Sequence, residues 1–263
     1  MKTIITGPTK LHEQTRRERH LSCDVEVRLL RLFAVVLVVA FMFAACAGQK
    51  TAVKDFDTES EEEAALEKNV KTGVQPQPDA EVAVIETADF GAIVIELYPN
   101  VAPKMVERFK KLISEGFYNG TTFHRVDPNL GIIQGGDPLS KDNDASNDGT
   151  GDSPYPNVPG EMSDIPYDRG TVGAARKDAM AAVGGRPGLT EAQARDTANS
   201  QFFITLKRQP EFDKKYTVFG RLIQGIETAQ IIMGVQVEPG TDRPADKVVI
   251  KSITLQPRSK FVS

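Results

Sequence analysis

The chain has 263 residues, with 32 Lys+Arg against 36 Asp+Glu and a formal net charge of −4. That near-balance supplies no basic stripe of the kind nucleic-acid binding needs, so no nucleic-acid partner is expected. With 40% hydrophobic and 7% aromatic residues and no Trp, the composition is that of an ordinary soluble domain, and 16 Pro and 21 Gly predict many turns.

Residues 1–28 are polar and carry Arg16, Arg17, Arg19 and Arg28 without a helical apolar stripe. Residues 29–45 are almost unbroken hydrocarbon, interrupted by Arg31, and end in Phe43-Ala44-Ala45-Cys46. A basic segment, a short apolar segment and small residues before a cut site make a secretory signal. The uninterrupted part, 32–45, is short for a spanning helix, which needs about 20 apolar residues. The Ala-Ala-Cys ending resembles a bacterial lipobox, with Phe43 where such boxes more often carry Leu. The resemblance implies that Cys46 is lipidated and becomes the first residue of an exported, membrane-anchored lipoprotein. An uncleaved anchor is the alternative, and either one tethers the domain outside the cytoplasm. The stretch before Arg28 is long for a signal and suggests a start nearer Val25 or Val27, which N-terminal analysis of the precursor decides. Cys23 and Cys46 are the two cysteines, so a mature chain without disulfides must be stable through its core. Cysteine nucleophiles and thiolate metal sites are excluded with them, and no cofactor or metal is expected.

Residues 47–80 read as an acidic, Pro-containing tether, with one or two helical turns in 61–68 and extended backbone at Gln75-Pro76-Gln77-Pro78. Order begins at Glu81. Val82, Val84 and Ile85, a turn at Asp89-Phe90-Gly91, then Ile93, Ile95 and Leu97 predict a β-hairpin with one buried face. Between 101 and 118, Val106, Phe109, Leu112, Ile113 and Phe117 recur at helical spacing and Gly116 closes the last turn. Residues 139–169 are polar and irregular, and a solvated surface loop is expected. Asp144-x-Ser146-x-Asp148-Gly149 resembles the start of an EF-hand loop, but Tyr155 stands at its twelfth position, which leaves a weak calcium site as the minor reading. Residues 170–176 (GTVGAAR) are so small that something must approach their backbone closely. A short helix is expected over 190–197. In 200–206 (SQFFITL), Phe202 and Phe203 face opposite sides, so one is core and the other lines something else. Strands over 216–222 and 248–255 flank a helix over 226–233 with Ile226, Ala229, Ile232 and Met233 on one face. Coiled-coil heptads and exposed apolar helices are absent from the pattern, so a monomer is expected.

The stretch that organises the chain is FHRVDPNLGIIQGGDP, residues 123–138. Arg125 is a permanent cation with five fixed donors, set between Phe123 and Val126 on a strand-like segment. Such an arginine either reaches water at a strand edge or points into an apolar cleft as a donor awaiting an acceptor.

FHRV at 123–126, QGGDP at 134–138, GTVGAAR at 170–176, SQFFITL at 200–206 and YTVFGRLIQG from Tyr216 resemble, in order, the cyclophilins, the peptidyl-prolyl cis-trans isomerases. The resemblance covers 81–257, with a tail at 258–263 and an N-terminal extension and signal at 1–46. It implies a mainly β fold, a closed eight-stranded antiparallel β-barrel capped by two α-helices. It implies isomerisation of X-Pro bonds in proline-containing polypeptides, assisting the folding of exported or envelope proteins. Carried over by position, Arg125 is the catalytic arginine. Phe123, Ile132, Gln134, Ala175, Arg176, Gln201, Phe203, Phe212 and Tyr216 are substrate-binding, with Phe203 as floor of the proline pocket and backbone contacts at Ala175 and Arg176. The chain departs from the family between Arg125 and Gln134, which are one residue further apart than usual, and Leu130 or Gly131 replaces an aromatic. The segment from Arg176 to Ser200 is longer than common. Glu211 replaces the tryptophan associated with tight cyclosporin binding, which implies weak affinity for that ligand.

The chemistry fits without the resemblance as well. Rotation about X-Pro needs no covalent step, only preference for the twisted amide, and a fixed cation such as Arg125 can donate to the prolyl nitrogen in that geometry. His124 is read as structural, since the reaction transfers no proton. A proline-peptide binding or holdase module with little turnover is the alternative. A hydrolase is excluded for want of a nucleophile–base pair: His12, His20 and His124 are the histidines, and none lies near Ser200 in sequence.

Overall fold

A computed structural model describes residues 64, 66–179 and 188–262. The expected signal segment at 29–45, Cys23, Cys46, the proposed starts at Val25 and Val27, and the first part of the expected tether lie outside the described residues. Eight strands form one antiparallel sheet: β1 (Glu81–Thr87), β2 (Ala92–Leu97), β3 (Arg125–Asp127), β4 (Ile132–Gly135), β5 (Thr171–Ala174), β6 (Phe202–Thr205), β7 (Val218–Gln224) and β8 (Ile250–Pro257). The spatial order is β3-β4-β6-β5-β7-β2-β1-β8. The described residues include the helices α1 (Pro103–Ser114), α2 (Glu191–Arg195) and α3 (Ile226–Met233).

Strict alternation directs one face of the sheet to the core. Val126, Ile133, Val172, Phe202, Ile204 and Phe219 join Ala83, Ile85, Ile93 and Ile95 there, with Phe109 of α1 among them. The Phe109 ring lies 5.5 Å from Phe202 and 5.2 Å from Phe219, both edge-on, the offset that aromatic quadrupoles favour. α1 packs against β8, and α3 against β2, β3 and β4.

Four expectations change. The barrel is not closed by a ladder: β3 and β8 are the two ends of the sheet, which is open and curled. The ends meet through an isolated bridge, Thr122 to Val249, where Phe123 N–H donates to the Val248 carbonyl at 2.9 Å, Ile250 N–H to the Thr121 carbonyl at 2.7 Å and Gly120 N–H to the Ile250 carbonyl at 2.9 Å. The hairpin β1–β2 is buried on both faces rather than one. Its second face, Val82, Val84 and Val94, is covered by Phe261 of the C-terminal tail, and the Arg258 guanidinium pairs with Glu96 at 2.6 Å. Side-chain alternation cannot reveal what covers this face, because the covering residues lie at the far end of the chain.

The polar stretch 139–169 is not a free surface loop. Glu161, 9% exposed, accepts from the Lys104 and Met105 amides at 3.2 and 3.0 Å, so it caps α1 where Ala102 offers no side-chain acceptor. Asp144 is spent on the Ser146 amide and hydroxyl, and among the described residues no three His, Cys, Asp or Glu side chains converge as metal ligands. The end of the expected spacer is also engaged: Lys71 pairs with Ser163 in a parallel bridge, and Gln77 N–H donates to the Asn100 side chain at 2.9 Å. Among the described residues no helix is long and apolar enough to cross a membrane.

Candidate active site

The face of the sheet opposite the core carries the functional candidates. Arg125 on β3, Gln134 on β4 and Phe203 on β6 are successive cross-strand partners, and the row continues to Gly173 on β5. Since side chains alternate along a strand, the same register that buries Val126, Ile133 and Phe202 turns these three outward together. They line a cleft of about 710 Å³ with Ile132, Ala175, Arg176, Gln201, Phe212 and Tyr216. That volume suits a short peptide segment more than a single ion.

One wall is apolar. Phe203 stacks on Tyr167 with ring centroids 5.5 Å apart, and its edges meet Phe212 at 5.6 Å and Tyr216 at 5.5 Å. Gly173 allows this arrangement, because a Cβ there would stand 2.5 Å from both the Phe203 ring and the Tyr167 hydroxyl. The close approach expected at 170–176 is therefore that of two aromatic rings. In the QGGDP turn, Gly136 has φ +92° with the Ser200 carbonyl 2.7 Å from where a Cβ would be, so only glycine fits.

The other wall is polar. Gln134 Nε2 donates to Gln201 Oε1 at 3.0 Å, and Gln201 Nε2 donates to the Gly149 and Gly151 carbonyls at 3.0 and 2.9 Å. The 139–169 segment thus sets the orientation of both glutamines. It is held in turn by Asn199, whose side chain accepts from the Ser153 amide at 2.8 Å and donates to the Tyr155 carbonyl at 3.0 Å. Arg125 donates from Nη2 to Asp127 and from Nε to Asp242, each at 3.1 Å, and its side chain remains 37% exposed. The Arg176 side chain is 6% exposed and fully engaged: with Glu191 at 2.7 Å, with the Lys215 and Lys177 carbonyls, and over the Tyr216 ring at 4.6 Å. Any substrate contact at this position falls to the backbone, while the guanidinium braces Tyr216.

One predicted substrate-binding residue does not belong to the cleft. Phe123 is fully buried in the core with its ring 6.2 Å from Phe202, because its place two residues before Arg125 meets the irregular backbone that leads into β3. Cys46 lies outside the described residues. His124 does line the cleft, 7% exposed, with neither ring nitrogen hydrogen-bonded. Burial holds its pKa below the ordinary histidine value against the opposing pull of Asp137, and the Arg125 cation lowers it further.

Sequence reasoning missed Tyr167, Asp242 and Asn199. Tyr167 is buried beneath Phe203, and burial raises its phenol well above the usual range. The available signal was that it is the lone aromatic between 156 and 169. Of the two residues weighed as replacing the family's aromatic, Leu130 packs against the Ile132–Phe203 cluster. Nothing local marks Asp242 or Asn199, since their partners lie 117 and 46 residues away.

Comparisons with known proteins agree with this geometry. A family model described as "Cyclophilin type peptidyl-prolyl cis-trans isomerase/CLD" matches residues 82–255. A probable peptidyl-prolyl cis-trans isomerase of Brucella suis is 38% identical over 180 residues, which covers 66% of this chain and 84% of that one. A solved cyclophilin-type isomerase of Cryptosporidium parvum is 30% identical, with a TM-score of 0.55 over 67% of this chain and 97% of its own. The same protein crystallised in the presence of the dipeptide Ala-Pro gives 28% identity and a TM-score of 0.53, covering 66% and 98%. With the family motif spanning the whole sheet and the aromatic wall, the chain belongs to the cyclophilin-type peptidyl-prolyl cis-trans isomerase family.

Proposed function

We propose that the cleft binds a proline-containing segment of a polypeptide and turns its X-Pro bond between cis and trans. The observation that carries this reading is the row Arg125–Gln134–Phe203, which sets a cation, an amide and an aromatic floor side by side on one wall of the cleft. Phe203, Ile132 and Phe212 hold the pyrrolidine ring. Gln134, anchored by Gln201, accepts or donates to the adjoining peptide. The amide barrier of about 18–20 kcal/mol comes from C–N resonance, which the twisted state loses. In that state the prolyl nitrogen regains a lone pair, and a guanidinium N–H of Arg125 donates to it. The ground-state amide offers no such acceptor, so the bond stabilises the transition state alone. Accelerating rotation by roughly 10³–10⁵ requires about 4–7 kcal/mol, within reach of one charge-assisted hydrogen bond plus a held ring.

A second reading, binding with little turnover, draws on the two carboxylates that already occupy Arg125. A protease-coupled assay on a proline peptide separates the two. The wild-type chain is expected to accelerate the slow phase and Arg125→Ala to lose about two orders of magnitude of that acceleration. If both run at the uncatalysed rate while the peptide still binds, the holding function stands instead.

The fold reading extends to closure of the curled sheet, for which the Thr122–Val249 bridge is the seam. The Phe43-Ala44-Ala45-Cys46 pattern supports placement of the domain at a membrane outside the cytoplasm, acting on exported or envelope proteins. Palmitate labelling that is unchanged by Cys46→Ser would refute the lipid anchor.

A further inference from the structure

The ion pairs around Arg125 are built, not incidental. Asp127 is 9% exposed at its side chain. Its second carboxylate oxygen accepts the Leu130 amide at 2.9 Å, and its own carbonyl accepts the Gly131 amide at 2.7 Å. The carboxylate therefore cannot swing away from the guanidinium without opening the 127–131 turn. Asp242 arrives from the connection between α3 and β8. Its carbonyl accepts the Val126 amide at 2.7 Å, one residue along from Arg125, and its loop is closed by Glu238 N–H to the Arg243 carbonyl at 2.9 Å. Both acidic residues thus have backbone bonds that fix where their oxygens stand.

We propose that Asp127 and Asp242 are positioning residues for Arg125, which hold its guanidinium plane from the Nε and Nη2 sides and leave the two Nη1 protons for the substrate. The inference rests on the reading of Arg125 as donor to the prolyl nitrogen. Two effects oppose each other. Fixing a long, rotamer-rich side chain removes the entropy that would otherwise be lost on reaching the transition state. A nearby carboxylate also weakens the cation's field. At Asp242, 45% exposed, solvent screens the charge strongly, whereas the hydrogen bond's direction does not depend on screening. Orientation therefore dominates there.

The test measures kcat and KM separately, by exchange NMR on an Ala-Pro peptide, for Asp242→Ala, Asp242→Asn, Asp127→Ala and Arg125→Ala. Asp242→Ala is expected to lower kcat by roughly fivefold with KM unchanged, and Asp127→Ala by roughly tenfold or more. Asp242→Asn retains an oxygen acceptor for Nε–H and loses the charge, so it restores most of what Asp242→Ala removes. Amide spectra of each variant establish that the fold is kept, and the Asp242 pair carries the test if Asp127→Ala disturbs its turn. Equal increases of kcat in Asp242→Ala and Asp242→Asn would mean that the carboxylate merely damps the cation, and the proposal is overturned. Unchanged kcat in both Asp242 variants, with Arg125→Ala strongly impaired, also overturns it while leaving the proposed function intact. An active Arg125→Ala overturns both.

Discussion

The two walls of the cleft are made differently. The apolar wall consists of Ile132 and Phe203 from the neighbouring strands β4 and β6, joined by Phe212 and Tyr216 and packed with Tyr167 and Val218, and its order comes from packing. The polar wall consists of loop segments 148–152, 176–178 and 241–243, and its order comes from hydrogen bonds between residues far apart in the chain. Packing is non-directional and tolerates some change of shape, whereas the polar wall depends on individual donors and acceptors that fail singly. The apolar wall should therefore carry stability and the proline's grip, and the polar wall the orientation of Arg125, Gln134 and Gln201.

The largest effect is expected at the apolar wall. Phe203 is 3% exposed and touches three aromatic rings, so Phe203→Ala leaves a hole that strands and rings on both sides cannot close. A loss of about 3–5 kcal/mol of unfolding free energy is expected in urea titration, along with most of the isomerase activity. A variant that unfolds at the wild-type urea concentration would show that the wall is a surface feature and that the contrast between the walls is misdrawn.

The polar wall is tested next at Asn199, 3% exposed. Its side chain accepts from the Ser153 amide and hydroxyl and donates to the Tyr155 carbonyl and the Asn157 side chain. Asn199→Ala leaves several buried groups unpaired, at about 2–3 kcal/mol. Its signature should differ from that of Phe203→Ala: the Gly149–Gly151 turn loosens, and Gln201 and Gln134 lose their fixed orientation. Hydrogen exchange is expected to rise in 148–157 more than in β6. Uniform acceleration across the sheet would mean that the loop has no separate structural role.

How far each wall was legible follows from the same difference. Alternation puts Phe202 and Phe203 on opposite faces without saying which is core, and the family resemblance assigns Arg125, Gln134 and Phe203 to the cleft; the register turns these three outward and Val126, Ile133 and Phe202 inward. Phe123 was misplaced because the backbone before β3 is irregular, and alternation there carries no meaning. Tyr167 escaped because it belongs to no periodic element, yet it forms the floor below Phe203. Arg176, expected as a backbone contact of the groove, lines the cleft, while its side-chain charge pairs with Glu191 of α2, a partner in the longer 176–200 segment that its own motif does not reveal. Long-range hydrogen bonds leave no local trace in composition or periodicity. Asp242, 117 residues from Arg125, is the clearest instance.

The smallest effect tests where the two walls meet, at His124. Its neighbours supply a carboxylate, Asp137, and a cation, Arg125, but neither ring nitrogen has a hydrogen-bond partner, and burial is the leading influence that lowers its pKa. A histidine depressed in the folded state is neutral there while the unfolded chain still takes up a proton near pH 6.5. Its contribution to stability is therefore fully present above that pH and is lost as pH falls from about 6.5 toward the depressed value. His124→Phe fills a similar space and cannot be protonated, so it escapes this loss. At pH 8 its stability should lie within about 1.5 kcal/mol of wild type. As pH falls from 7 to 5, the variant should gain on the wild-type chain, as followed by urea midpoints at each pH. Carboxylates titrate in both proteins and cancel in the difference, which isolates the histidine. A difference independent of pH would mean that His124 is solvated enough to charge freely, and that water from the polar wall reaches behind Arg125.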